Sequence, residues 1–234
     1  MPRPLLLSLA CALAIVLPLA GRAEVETRFD VLLRGLRVAE ITLVARDDGR
    51  AYAVAGQVRA TGLVRAVARV RFALRAEGRW DGGTPRPMRY VEDIDTGRRA
   101  SRVELHFENT LPRIAWQDPE PSPEAVPPTQ ARGHADPLSA LWRLARSGTR
   151  AEICGFTLPV YDGARRSELS VAPATASAEC SGRYTRLAGF PPEDMAERRD
   201  FPFTARFAEI DGAFVLTQVE ATSLLGPIRI VRRD

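Results

Sequence analysis

Turn signals recur along this chain at short intervals, and the stretches between them alternate apolar and polar residues. Clear examples are Asp48-Gly49 and Asp211-Gly212. Asp-Gly pairs favour tight hairpin turns, because these residues tolerate the positive φ angles that such turns need. Alternation with a period of two is typical of strands that bury one face. The pattern therefore predicts a mainly β protein with a single curved antiparallel, up-and-down sheet, either a barrel or a half-barrel.

The predicted strands share this alternation and end at the turn signals. They cover residues 29–33, 39–45, 52–60, 68–80, 87–95, 102–108, 152–161, 165–171, 180–188, 202–209, 213–221 and 227–232. The stretch from Leu63 to Leu74 also fits a helical stripe. Alternation matches more of its positions and continues to Trp80, so we predict a strand from about Ala68, with room for one helical turn before it.

One segment near residues 137–147 predicts an amphipathic α-helix. Asp136 is a favourable N-cap residue, Pro137 suits the first helical position, and Gly148 suits the end. Apolar residues at positions i, i+3, i+4 and i+7 form one face, which contains Leu138, Leu141, Trp142 and Ala145. We expect this face to pack against the sheet or to plug its mouth.

The N-terminal stretch, residues 1–23, has the layout of a secretory signal peptide. Arg3 supplies the positive charge, residues 5–17 are apolar, and small residues precede the expected cleavage site before Glu24. The alternative is an uncleaved membrane anchor, although the apolar run is short for a spanning helix. We therefore expect a periplasmic protein with one β-rich domain over residues 24–234 and no membrane span in the mature chain.

Residues 118–137 differ in kind from the rest of the chain. They are rich in proline and lack an apolar period. This composition is typical of a surface loop, and because the strand pattern resumes after it, we place no domain boundary there. A docking site for a protein partner is the alternative interpretation.

Two cysteines, Cys154 and Cys180, lie outside the predicted signal peptide. Exported proteins fold in oxidising compartments, where such pairs form disulfides. We predict a Cys154–Cys180 bridge. Two free buried thiols, or one catalytic cysteine, are the alternatives.

Charge argues against a polyanionic partner such as nucleic acid. All 33 basic residues are arginine, and two of them, Arg3 and Arg22, lie in the signal peptide. Against 29 acidic residues, the mature chain carries a net charge of only about +2.

The arginine doublet after the Asp162-Gly163 turn is the most informative polar feature. On a strand, Arg165 and Arg166 face opposite sides, so one of them faces inward. An inward arginine near a barrel mouth can hold an anionic head group or carboxylate. We name Arg165, Arg166, Trp142 and Tyr161 as candidate ligand-binding residues. Pairing of Arg166 with Glu168 is the alternative role.

No set of residues has the spacing of a catalytic or metal site. His106 and His134 are interpreted as solvated, neutral side chains. Glu92 and Asp93 point to opposite faces of a strand, so only Asp93 and Asp95 can converge, and a solvated strand edge is the favoured interpretation. We therefore predict no catalytic residues, no metal and no cofactor.

Several short motifs are shared with a known family. They are Gly35 after the early strand, Asp136-Pro137-Leu138-Ser139, Tyr161-Asp162-Gly163-Ala164-Arg165-Arg166, Cys180-Ser181-Gly182-Arg183-Tyr184, and Leu225-Gly226-Pro227. In these motifs the chain resembles the exported proteobacterial proteins grouped as domain of unknown function 3108. The resemblance covers nearly the whole mature chain. It implies a periplasmic, β-rich protein and supplies no catalytic residues.

We therefore expect a non-enzymatic periplasmic protein whose curved sheet binds a lipid-like or other hydrophobic ligand. One alternative is a cell-envelope interaction or assembly factor that uses the proline-rich segment. Another is a hydrolase with a site at Asp93 and Asp95 or at His106.

Overall fold

The computed structural model describes residues 24–62, 70–97 and 100–233, and the chain in these ranges is dominated by strands. Two sequence predictions fall outside them: the signal peptide, and the helical turn before residue 68 with the first residues of the strand that follows it. The strands are β1 (Val25–Leu33), β2 (Leu36–Asp47), β3 (Ala51–Ala60), β4 (Arg71–Asp81), β5 (Thr84–Asp95), β6 (Ala100–Glu108), β7 (Leu111–Asp118), β8 (Phe156–Tyr161), β9 (Arg166–Val171), β10 (Glu179–Ala188), β11 (Asp200–Ile210), β12 (Ala213–Ser223) and β13 (Gly226–Arg233).

All of these strands belong to one antiparallel sheet, in the order β7-β6-β5-β4-β3-β2-β1-β13-β12-β11-β10-β9-β8. Sequence neighbours pair throughout, except that β1 pairs with β13, and β7 and β8 form the two edges. The predicted antiparallel, up-and-down sheet is confirmed. Strand pairing leaves it open between β7 and β8, so it is a half-barrel.

The segment between β7 and β8 lies across this gap. It contains a 3-10 helix (Pro128–Ala131) and helix α1 (Pro137–Ala145). The N–H of Ala135 donates to the carbonyl of Pro159 at 2.8 Å, and the N–H of Tyr161 donates to Ala135 at 2.9 Å, which occupies the free edge of β8. On the other side, the N–H of Gly133 donates to Thr110 beside β7 at 2.8 Å. The segment therefore satisfies edge groups that would otherwise be exposed.

Large side chains on the inner face of the sheet lie opposite small ones. Tyr52 pairs with Gly78 and Val54 with Ala76 across β3 and β4. A side chain at Gly78 would overlap the Tyr52 ring, so the glycine makes room for it. The ring of Tyr52 also packs against Trp80, with centroids 4.9 Å apart. This complementarity explains why the sheet can curve tightly around its core.

Helix α1 lies inside the curve of the sheet and packs against β3, β4, β5, β8 and β12. Asp136 caps it as predicted, accepting the N–H of Ser139 at 2.8 Å. The predicted apolar stripe is wrong at Leu141, which is 38% exposed, whereas Ser139 and Arg143 are buried. The reason is that the sheet surrounds α1 on most sides, so burial is not confined to one helical face.

The predicted bridge between Cys154 and Cys180 is present, with Cα atoms 6.3 Å apart. Both residues are buried. The bridge joins the segment that follows α1 to the start of β10. It therefore ties the connection across the gap to the sheet.

Candidate ligand-binding site

The half-barrel has two different ends. The end with the turns at Asp48–Arg50, 82–83 and 211–212 holds the C-terminal half of α1, and we call it the plugged end. There the indole N–H of Trp142 donates to Asp47 at 2.8 Å, and Arg143 Nε donates to the carbonyl of Gly83 at 2.8 Å. The opposite end, with the turns at residues 34–35, 96–97 and 224–225, we call the open end.

Burial of the inner face decreases from the plugged end to the open end. On β4, Ala76 is 1% exposed, whereas Leu74 and Phe72 towards the open end are partly exposed. On β2, Leu43 is buried and Ile41 is partly exposed. The same gradient runs along β3, β5 and β11. Side chains near α1 are therefore covered, and those beyond it are covered incompletely.

The partly exposed side chains form a continuous apolar surface, which we call the inner wall. Its members are Ile41, Val58, Phe72, Leu74 and Ile94 on β2–β5, and Phe201, Phe203, Val219, Ala221, Ile228 and Ile230 on β11–β13. The register places them on one face. Val58 lies opposite Ile41 and Phe72, and Phe72 lies opposite Ile94. Such a concave apolar surface is the usual setting of a small-molecule site.

Arginine side chains lie at one edge of the inner wall, stacked on phenylalanine rings. The guanidinium of Arg186 is 5.0 Å from the ring centre of Phe201 and 5.2 Å from that of Phe190. Arg165 lies 5.5 Å from the ring of Phe190, and Arg198 lies 5.5 Å from the ring of Phe201. We call Arg165, Arg186 and Arg198 the arginine cluster. Its stacking places cations directly beside apolar wall residues.

Polar groups next to the cluster are held by hydrogen bonds. Asp162 Oδ1 accepts the N–H of Arg165 at 2.7 Å, and its Oδ2 is 3.9 Å from Arg165 Nη1. Burial raises the pKa of the Asp162 carboxyl. Burial raises the pKa of Tyr184, and the nearby Ser167 acts to lower it. Tyr184 therefore stays neutral, and Asp162 is an acidic neighbour of Arg165.

Glu92 is a buried acidic residue on the inner face of β5. The hydroxyls of Tyr90 and Ser101 each donate to its carboxyl group at 2.6 Å. Burial raises the pKa of Glu92, although both hydrogen bonds act to lower it. Asp93 faces the other way and pairs with Arg71 at 2.9 Å. The predicted opposite orientation of Glu92 and Asp93 is therefore confirmed.

Residues 28–179 match the family model described as "Protein of unknown function (DUF3108)". The chain belongs to this family. The predicted family is thereby confirmed. No curated protein matches the sequence.

The DUF3108 chain is also similar to a solved structure, the crystal structure of a beta-barrel-like protein of domain of unknown function DUF1849 from Brucella abortus. The two share 8% sequence identity with a TM-score of 0.50, over 91% of this chain and 97% of the other. At this identity the similarity concerns the fold alone. It supports the barrel-like architecture.

The predicted ligand-binding residues of this DUF3108 protein are distributed over different regions. Arg165 belongs to the arginine cluster at the open end. Arg166 points away from it, and its Nε donates to Nε2 of His134 at 3.2 Å. Trp142 lies at the plugged end, and Tyr161 is fully buried with its hydroxyl donating to the carbonyls of Val126 and Gly163. Their roles in ligand binding stay predictions.

Sequence reasoning missed Arg186 and Arg198 of the cluster. It also interpreted the stretch around Glu92 as a solvated strand edge, which is wrong, because β5 lies between β4 and β6 and Glu92 is buried. Arg186 lies two residues after Tyr184 in the alternating pattern of β10. This pattern predicts that both side chains point to the inner face. Glu92 alternates with Tyr90 and Ile94, which is the signal that places it on the inner face.

The histidines of the DUF3108 chain differ from each other. His106 is exposed and lies 2.8 Å from Glu104. His134 is buried, so the prediction of a solvated side chain is wrong for it. Its Nε2 accepts from Arg166, which assigns the proton to Nδ1, facing the carbonyl of Arg132 at 3.2 Å. Burial lowers the pKa of His134, which keeps the ring neutral.

Two further observations concern the part of the chain that the structure describes. There, no group of three or more His, Cys, Asp or Glu side chains is placed to hold a metal ion. In the same residues, no helix combines the length and apolar character needed to cross a bilayer.

Proposed function

We propose that this DUF3108 protein binds a lipid-like hydrophobic ligand against the inner wall at the open end. The burial gradient along the inner face carries the proposal. Inner side chains near α1 are covered by the helix, whereas Ile41, Val58 and Phe72 are partly exposed on a concave surface. Covering apolar surface stabilises a complex by about 25 cal/mol per Å². An apolar ligand chain along the wall would bury the inner side chains that α1 does not cover.

We further propose that this function is binding in the cell envelope, without catalysis. The signal-peptide pattern of residues 1–23 supports export, and the buried Cys154–Cys180 bridge suits an oxidising compartment. Glu92 lies near the wall, but its carboxyl is enclosed by two hydroxyl donors. Fractionation of cells that express the full chain, with the mass of the mature protein, tests export; cleavage before Glu24 is expected, and retention in the cytoplasm would contradict it.

Mass spectrometry tests the ligand directly. The protein, expressed with its own leader and purified without detergent, should carry a bound apolar molecule. Native spectra should show its added mass, and organic extraction should remove it. A protein that is ligand-free and that also fails to bind an apolar fluorescent probe would refute the proposal.

Two matched variants locate the site. Val58→Asp places a charge on the inner wall, and Val44→Asp makes the same change on the outer face of neighbouring β2. We expect Val58→Asp to lose the bound molecule and Val44→Asp to retain it, because only the first charge would have to be buried against the ligand. Circular dichroism confirms that both variants fold. Equal ligand content in both would contradict an inner-wall site.

A second candidate function is interaction with an envelope protein through the proline-rich segment. Residues 119–124 are exposed, while Val126 is fixed by its N–H donating to Ala164 at 2.8 Å and by its carbonyl accepting from Tyr161 at 2.9 Å. An exposed segment with one fixed end suits contact with a partner. Crosslinking in intact cells should trap that partner, and deletion of residues 119–124 should abolish the product.

A further inference from the structure

We infer that the polar end of the ligand is an anion, a carboxylate or a phosphate, bound by Arg165 and Arg186. This inference rests on the proposed function, since it assigns the head group of the molecule that lies on the inner wall. It is carried by the position of the arginine cluster relative to that wall.

Arg186 is held in one orientation. Its Nη1 donates to the carbonyls of Asp194 and Arg198 at 2.6 and 3.1 Å, and its guanidinium lies over Phe190 and Phe201. Backbone carbonyls fix a guanidinium without cancelling its full charge. A guanidinium has five N–H donors, and these two bonds engage a single nitrogen. An arginine fixed in this way is prepared for bidentate contact with a carboxylate or phosphate.

Arg165 brings a second cation to the same phenylalanine ring. Because both guanidinium groups lie close to the Phe190 ring, at 5.5 and 5.2 Å, they are within about 11 Å of each other. Both cations attract an anion that lies beside this ring. Asp162 stands 3.9 Å from Arg165, on the side of the β8–β9 turn. Burial raises the pKa of the Asp162 carboxyl, and the nearby Arg165 acts to lower it.

Neutral donors complete the surroundings. Tyr184 lies on the inner face of β10, and Ser167 of β9 lies opposite Arg186 on the same face. The ring of Tyr184 packs against Phe201 with centroids 6.1 Å apart. Their hydroxyls can donate to an oxygen that the two arginines hold.

Phe201 connects the two halves of the proposed site. Its ring belongs to the inner wall, and the guanidinium groups of Arg186 and Arg198 stack on it. A molecule with an apolar chain on the wall therefore has its end at the arginine cluster. The position of the arginine cluster beside the inner wall favours an anionic amphiphile. The apolar chain of such a molecule would contact the wall, and its anionic head group would contact the arginines.

Chain-matched ligands test the head group. The affinities of dodecanoate, dodecyl phosphate, dodecanol and inorganic phosphate are measured by displacement of an apolar fluorescent probe and by calorimetry. We expect dodecanoate and dodecyl phosphate to bind at least tenfold more tightly than dodecanol. Inorganic phosphate alone should bind far more weakly than dodecyl phosphate. If inorganic phosphate bound as tightly, the site would be one for a free anion and the amphiphile assignment would be overturned.

Variants test the residues. Arg186→Gln and Arg165→Gln should each reduce the preference for dodecanoate over dodecanol below threefold, and Arg186→Lys should restore part of it. Arg183→Gln is the matched control, because Arg183 lies on the outer face of β10, 3.8 Å from Asp200. The control should keep the wild-type preference. Melting temperatures confirm folding, and Arg165→Gln, at a partly exposed side chain, provides the test if Arg186→Gln does not fold.

The outcomes separate the inference from the proposed function. If the wild-type protein binds neither dodecanoate nor dodecanol, the proposed function fails and the inference fails with it. If both bind equally, the hydrophobic site stands and the anion assignment is wrong. If the preference survives in both glutamine variants, another group binds the anion, and the assignment to Arg165 and Arg186 is overturned.

Discussion

The packing of α1 inside the sheet makes a specific prediction about Gly56 and Leu138. A Cβ atom added at Gly56 would lie 3.0 Å from Leu138 Cδ1 and 3.4 Å from Leu43 Cδ2. Overpacking of this kind costs about 1–3 kcal/mol, and replacing a strand glycine returns about 0.5–1 kcal/mol. We therefore expect Gly56→Ala to lower the free energy of unfolding by about 1–2 kcal/mol. Leu138→Ala removes a fully buried side chain and should cost about 3–4 kcal/mol.

The double variant distinguishes this packing from two unrelated defects. Without Leu138 Cδ1, the methyl group that Gly56→Ala adds meets no close contact from α1, and it fills part of the cavity that Leu138→Ala leaves. The combined loss should therefore be smaller than the sum of the two single losses by about 1–2 kcal/mol. Urea unfolding of the purified protein, followed by circular dichroism, supplies the free energies for the cycle.

Leu141→Ala is the control, because Leu141 lies on the same helix and is 38% exposed. It should change stability by less than about 1 kcal/mol. If Gly56→Ala and Leu138→Ala add within about 0.5 kcal/mol, the two residues do not touch. The position of α1 against β3, and with it the plugged end, would then be wrong.

Three further predictions concern the disulfide and two carboxyl groups. Replacing Cys154 and Cys180 together with serine should lower the free energy of unfolding by about 3 kcal/mol in urea titrations, because the bridge closes a loop of 26 residues. Burial raises the pKa of Asp136 to about 6, above its value in the unfolded chain, so the folded state holds this proton more tightly. The resulting stabilisation is complete below about pH 4 and is lost as the pH rises through about 6. Asp136→Asn should therefore gain up to about 3 kcal/mol relative to the wild type between pH 4 and pH 7, and a constant difference over that range would contradict the assignment. Asp47→Ala removes the acceptor of two indole N–H groups and should cost about 2–3 kcal/mol with a shift in tryptophan fluorescence, whereas Asp47→Asn, which keeps one acceptor oxygen, should cost less.

Most strands could be predicted because each one alternates apolar and polar residues and ends at a turn signal in the sequence. β7 could not, since Pro112 interrupts its pattern and a register shift between Glu104 and Leu105 displaces its pairing with β6. Proline is tolerated there because β7 is an edge strand, where a missing N–H breaks no ladder on its free side. β8 begins at Phe156, four residues after the predicted start, because the preceding residues belong to the loop that carries Cys154.

The site was predictable only in part, for a related reason. Alternation implies that one of Arg165 and Arg166 faces inward, and it is Arg165 that joins the cluster. Which residues meet it depends on the curvature of the sheet and on contacts between distant segments. Phe190 and Phe201 come from the β10–β11 connection and from β11, and no local pattern places their rings beside Arg186.

The lengths of the elements explain why one end of the half-barrel is left open. Helix α1 has 9 residues, which span about 14 Å. Strand β4 has 11 residues, about 37 Å, and at a tilt of about 40° it covers about 28 Å along the barrel axis. Even aligned with the axis, α1 can cover only about half of the inner face.

Both ends of α1 are fixed within that covered half. Near its N-terminus, Ser139 Oγ hydrogen-bonds to the Tyr52 hydroxyl at 2.7 Å, and towards its C-terminus Trp142 donates to Asp47. The helix therefore cannot move along the barrel axis to cover the open half of the inner face without breaking these hydrogen bonds. Leaving apolar strand faces uncovered costs free energy in proportion to their area, and a longer helix would remove that cost. A short, fixed plug therefore leaves the inner wall accessible, as the proposed ligand site requires.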